Sequence, residues 1–117
     1  MPAKDKALCV FYALVSLLAL FATWSNNLKF FAQADNGGLL GFIHAANANP
    51  AAASISNDLG CLCLAAFVFM VVEARRLGIR QVWLYIVLSC AIAVSVMFPL
   101  FLLARQLKLS AANSQRE

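Results

Sequence analysis

The stretch Val82–Ala104, VWLYIVLSCAIAVSVMFPLFLLA, holds no charged residue. As one helix it extends roughly 35 Å, more than the ~30 Å hydrocarbon thickness of a bilayer. Trp83 and Tyr85 stand at its start, and Arg105 and Lys108 follow its end. These residue types anchor a span at its two interfaces. Pro99 removes one backbone hydrogen bond and frees the carbonyl of Ser95, so a bend is expected near Ser95. A run of this length and character makes the chain an all-α membrane protein.

Two more runs extend the pattern. Ala7–Trp24, ALCVFYALVSLLALFATW, is uncharged, follows Lys4 and Lys6, and is closed by Trp24. A secretory signal looks similar, but bulky Trp24 lies between Thr23 and Ser25 and the polar region before a cleavage site is poor. Lys6-Ala7-Leu8 before Cys9 is not a lipoprotein pattern either, so a retained span is expected. The other run begins after Asn49-Pro50, where Asn49 can cap a helix and Pro50 can take its first position. It ends at Glu73-Ala74-Arg75-Arg76, with Gly78 suited to the left-handed C-terminal position. The expected spans are thus 7–24, 51–73 and 82–104, in a single membrane domain, 1–117.

The connection 25–50 is too long for a plain loop. Phe30 and Phe31 read as an interfacial anchor. After Gly37-Gly38, the apolar stretch 39–46 is far too short to span, which predicts a short interfacial helix in this first loop. The polar tail from Ser110 is expected to fray.

Composition agrees with this reading. Of 117 residues 63% are hydrophobic and 12% charged, where a soluble domain is about half apolar and one-quarter charged. Mean hydropathy is +0.82. Too little polar surface exists to cover a water-exposed globule. The nine basic and five acidic residues fall in short clusters between apolar runs, so no field for nucleic acid is formed. Three straight spans put Lys4, Lys6, Arg75, Arg76 and Arg80 on one side, against Lys29, Arg105, Lys108 and Arg116 on the other. The tight Arg75-Arg76-Arg80 cluster tips this near balance toward a cytoplasmic 74–81 turn.

Asp58 is the most informative residue, roughly 12 Å into the second helix. A carboxylate at that depth needs water, a partner or a proton. On a helix, Ser54, Asp58, Cys61 and Ala65 share one face, with Arg76 on the same line and Glu73 about 60° away. Small and polar residues of this kind let another backbone approach closely, so the face Ser54, Asp58, Cys61, Ala65, Glu73 and Arg76 is read as a helix-packing or partner face. Proton transfer or ligand binding at Asp58 stays open beside a structural hydrogen bond. Glu73 reads as an interfacial ion pair, and at roughly 22 Å from Asp58 it cannot share a reacting atom with it.

His44, the single histidine, falls in the interfacial segment. One imidazole can serve as an axial ligand to a chlorophyll magnesium or a haem iron, although an exposed or cap-bonded histidine is the plainer reading. Cys9, Cys61, Cys63 and Cys90 lie within spans and read as apolar fillers. Cys61 and Cys63 are about 200° apart and cannot hold one metal together, so no protein metal site is expected. Nor is there a nucleophile–histidine–acid set or a phosphate-binding glycine loop.

Trp24, Asn27 and Phe31, then Asn49-Pro50-Ala51-Ala52 with Ser54 and Asp58, then Glu73-Ala74-Arg75-Arg76-Leu77-Gly78 and Phe98-Pro99-Leu100-Phe101, form a recognisable combination. The chain resembles, from Val10 to Leu107, a bacterial family of small membrane proteins, frequent in cyanobacteria, known as domain of unknown function number 2834. The resemblance implies an architecture and a cyanobacterial thylakoid setting, and by analogy a photosystem I-type host. A fainter resemblance is to small multi-span proteins of carotenoid and terpenoid modification.

Two functional expectations follow. The first is a non-catalytic accessory subunit of a membrane complex, with other membrane subunits, lipids and chlorophyll or carotenoid as contacts. The second is a small membrane enzyme or factor that modifies isoprenoid lipids with Asp58 as acid. An ion carrier ranks last, because beyond Asp58 only Ser16, Ser89 and Ser95 offer polar groups inside the bundle.

Overall fold

The computed structural model describes residues 3–33 and 35–116. Five helices follow in order: α1 (Ala3–Ala32), α2 (Gly38–Ala46), α3 (Pro50–Leu77), α4 (Val82–Ala91) and α5 (Val94–Arg116). Among the described residues all regular structure is helical. Three stretches, Ala3–Ala32, Pro50–Leu77 and Val94–Ala112, are long and apolar enough to cross a membrane. The chain is a multi-pass membrane protein. Its first loop carries the expected short helix, α2.

The third span differs from the sequence expectation. Val82–Ala104 is not one helix: it breaks at Ile92–Ala93, and the chain reverses there. Tyr85 of α4 packs edge-on against Phe101 of α5, with ring centroids 5.6 Å apart. Ten residues make α4 about 15 Å long, half a bilayer, so α4 and α5 form a hairpin in which only α5 is long enough to cross. Pro99 lies inside α5 without ending it. The reason is tertiary: a straight helix would carry Arg105 about 35 Å from the α3 end, whereas the hairpin returns it to Glu73.

Breaking a helix in an apolar setting leaves backbone groups to be satisfied. The Ile92 N–H still closes α4 on the Leu88 carbonyl, 2.7 Å, while the Val96 and Met97 N–H groups both turn to Ala93, each 3.2 Å. The carbonyl of Ile92 is taken by α1, whose Trp24 Nε1–H donates to it at 2.9 Å. Lower down, Ser16 donates to the carbonyl of Val96. At the far end of α5, Ser110 donates to Asp5 at 2.7 Å. These three bonds fix α1 antiparallel to α5 along most of its length. The tail expected to fray is instead helix to Arg116, with Ser110 buried.

α5 is the centre of the bundle, touching α1, α3 and α4. Met70, Ala74 and Phe101 form a buried core cluster, the first and last fully buried, with Phe67, Ile79, Val82, Tyr85, Ile86 and Phe98 packed against them. Ala74 is small enough for α3 to approach closely at this point.

The α1–α2 turn is built tightly. Asn36 donates to the carbonyls of Phe31 and Gln33, at 2.8 and 3.1 Å, and accepts from the Gly38 N–H at 2.7 Å. Gly37 and Gly38 take positive φ, 77° and 67°. A Cβ on Gly41 would lie 1.9 Å from the Asn36 carbonyl oxygen, so only glycine fits there. The close approach folds α2 back, and Phe42 stacks on Phe31 at 5.7 Å and meets Phe30 edge-on at 5.3 Å. Asn49 caps α3 by accepting from the Ala52 N–H at 2.8 Å, and Gly78 ends it at φ 74°.

The hairpin redistributes charge. Asp5–Ser110 and Glu73–Arg105 bring the start of α1, the end of α3 and the end of α5 together. Lys4, Lys6, Arg75, Arg76, Arg80, Arg105 and Lys108 therefore gather at one end, where α5 also terminates, and Lys29 sits toward the other. Straight spans divided these residues almost evenly; the folded chain does not. The excess of Lys and Arg is the pattern that marks a cytoplasmic face.

Candidate functional site

Helix α3 carries most of the residues singled out in the sequence, and the fold divides them. Ser54, Asp58, Cys61 and Ala65 are exposed and form one outward stripe. Val68 and Val72 continue that stripe, 65% and 58% exposed. Glu73 is turned the other way, onto α5, and is buried. The expected face is thus two faces. One looks out of the bundle, and one holds α3 to α5.

The inward face is an ion-pair cluster. Arg105 Nε donates to Glu73 Oε2 at 2.6 Å, and Arg76 meets Glu73 Oε1 at 3.1 Å from the next turn of the same helix. The Arg105 guanidinium also lies over the Phe69 ring, 5.7 Å from its centroid. A planar fork with five donors, stacked on an aromatic face, is well suited to hold a carboxylate out of water. Glu73 and Arg76 were legible as an ion pair; Arg105, the stronger partner by distance, was placed by sequence on the wrong side. No local signal near Ile92 reveals the reversal that brings it back.

Asp58 has a different setting. Among the described residues it makes no hydrogen bond and no ion pair. Its neighbour Leu59 lines the same cavity as Val94 and Ser95, so Asp58 stands level with the α4–α5 turn, toward the less basic end of the bundle. The Asn47–Asn49 region is bonded within itself and to its own helices: Asn47 donates to Ile43 at 2.9 Å, and Asn49 serves Ala52. Neither is a partner for Asp58.

His44 is exposed on α2, beside the Phe30–Phe31–Phe42 cluster through its neighbours Phe42 and Ile43. Its backbone carbonyl accepts from the Asn47 N–H at 3.1 Å. Its ring is open to a neighbouring molecule. The four cysteines are free thiols, Cys61 and Cys90 exposed and Cys9 and Cys63 half-buried. Among the described residues no three His, Cys, Asp or Glu side chains converge as metal ligands.

An apolar cavity of about 470 Å³ lies where α1, α3 and α5 meet, lined by Val15, Leu62, Ala65, Phe69 and Phe98 among others, so Ala65 borders this cavity as well as the outward stripe; no titratable side chain lines it. Cavities of this sort take hydrocarbon.

The family model "Protein of unknown function DUF2834" matches residues 11–107. The chain belongs to this family. The match runs from Phe11 in α1 to Leu107 in α5, so it covers the hairpin, Asp58, and the Glu73–Arg105 pair. No curated protein and no solved structure matches the chain. The family's description assigns no activity.

Proposed function

We propose that this DUF2834 protein is a non-catalytic accessory subunit of a multi-subunit membrane complex, docked through the outward stripe of α3. One observation carries the reading. Asp58 projects from a membrane-spanning helix with no hydrogen-bond or ion-pair partner among the described residues, within a stripe of small residues at Ser54, Cys61 and Ala65. An intramembrane carboxylate calls for a polar partner, and small neighbours admit one at close range. The photosynthetic, photosystem I-type host and its thylakoid membrane are proposed from the family resemblance. The exposed His44 beside aromatic α2 supports chlorophyll or carotenoid contact there.

A second reading has support from the cavity beside Leu59: an isoprenoid chain lying there would bring its end near Asp58, which would then act as an acid. Gentle solubilisation of native membranes separates the two. On the subunit reading, the wild-type chain migrates with a larger, pigment-bearing particle, and Asp58→Leu releases it as a free chain. Asp58→Asn keeps the shape and hydrogen bonding, and so retains the particle. A chain that migrates alone, or an Asp58→Asn variant with intact assembly but altered carotenoid and lipid profiles, rejects the subunit reading; the second outcome favours the enzyme.

A further inference from the structure

Two cavities on the α4–α5 side of the bundle meet and differ in chemistry. At the basic end, Arg80 from the α3–α4 turn and Lys108 from α5 line a cavity of about 340 Å³ together with Gly78, Gln81 and Tyr85. Both cations are exposed, and neither takes part in an ion pair among the described residues. Gln81 and Tyr85 also line the second cavity, about 390 Å³, which runs on between α4 and α5 under Leu84, Leu88, Leu100, Leu103 and Leu107. Polar head and apolar groove are therefore continuous along the membrane normal.

From this juxtaposition we infer a binding site for one anionic glycerophospholipid, its phosphate between Arg80 and Lys108 and one acyl chain in the α4–α5 groove. Of the other cations at this end, Arg76 and Arg105 are held by Glu73, and Lys4, Lys6 and Arg75 line neither cavity. Arg80 and Lys108 remain to meet an anion, and a basic pocket between helices at the cytoplasmic leaflet is where acidic head groups are recognised. A free phosphate would satisfy the cations but leave the leucine groove without an occupant, whereas a lipid fills both. The groove exists because α4 is only ten residues long and packs on one flank of a much longer α5. The inference involves α4 and α5 alone and is independent of what docks on α3.

Native mass spectrometry of the full chain tests it. Protein is reconstituted in phosphatidylcholine nanodiscs with or without phosphatidylglycerol and then released into mild detergent. One retained phosphatidylglycerol per chain is expected, in preference to phosphatidylcholine. Each cation near an anionic head group is worth about a factor of five, so Arg80→Gln with Lys108→Gln lowers retention about twenty-five-fold. Each single variant, at an exposed side chain, lowers it about fivefold and serves if the double variant misfolds. Leu103→Trp fills the groove and lowers retention with both cations intact. Inorganic phosphate at millimolar concentration leaves the adduct in place. Equal retention of both lipids, retention unchanged in the single variants or in Leu103→Trp, or displacement by phosphate would overturn the inference.

Discussion

Phe101→Ala lowers the stability of the solubilised protein by about 3 kcal/mol, the lower end of the range for a buried Phe truncation. Phe101 is fully buried where α3, α4 and α5 meet, against Met70, Ala74 and Tyr85. In a bilayer the transfer part of a large-to-small loss is small, because lipid tails are as apolar as the side chain. What remains is the lost dispersion of a ring contacted on all sides and the void left behind. A thermal shift measurement in detergent reads this as a fall on the order of 10 °C. Phe21→Ala is the control: that ring is 76% exposed on α1 and its removal moves the midpoint little. Equal shifts for the two variants would mean that the α3–α4–α5 junction is not the core.

The second large effect belongs to Glu73 and Arg105. Arg105→Gln leaves a carboxylate that is 11% exposed with only Arg76, itself 59% exposed, as partner. Removing one member of a sheltered pair is the damaging change, because the other charge stays behind uncompensated. Arg76→Gln is expected to cost far less than Arg105→Gln. Replacing both partners by apolar residues, Glu73→Leu with Arg105→Met, recovers most of the loss. This double-mutant cycle also tests the topology. If Val82–Ala104 crossed as one straight helix, Arg105 and Glu73 would be on opposite faces and their effects would simply add. Strong coupling is the result the hairpin requires.

The hairpin is also where sequence reading stopped short. Hydropathy located α1, α3 and the apolar 82–104 run, since each is governed by composition over about twenty residues. The Asn49–Pro50 start and the Gly78 stop of α3 were legible because capping chemistry is local. Ile92–Ala93 carries neither glycine nor proline, and the only breaker in the run, Pro99, lies six residues beyond Ala93 inside an unbroken helix. What holds the reversal is distant in sequence: Trp24 on the Ile92 carbonyl, Tyr85 on Phe101, Arg105 on Glu73. The same reversal converts an even division of basic residues into a one-sided one. On α3, helical periodicity grouped Ser54, Asp58, Cys61 and Ala65, and all four are exposed. It grouped Glu73 with them because a wheel at 60° does not tell a stripe from its border, and only the position of α5 does. Asn36 and Gly41 escaped notice for a related reason: their pairing depends on α2 folding back over the end of α1.

Docking through the outward stripe of α3 is tested most directly by a photo-reactive residue placed at Cys61, which is exposed at the middle of that stripe. Illumination is done in intact native membranes, with the same residue at Phe21 of α1 as the lipid-facing control. The expected result is one discrete heavier product from position 61, containing a different polypeptide, that Asp58→Leu abolishes, and no such product from position 21. A chain that cross-links only to lipid from position 61, or equally from both positions, would contradict docking through α3.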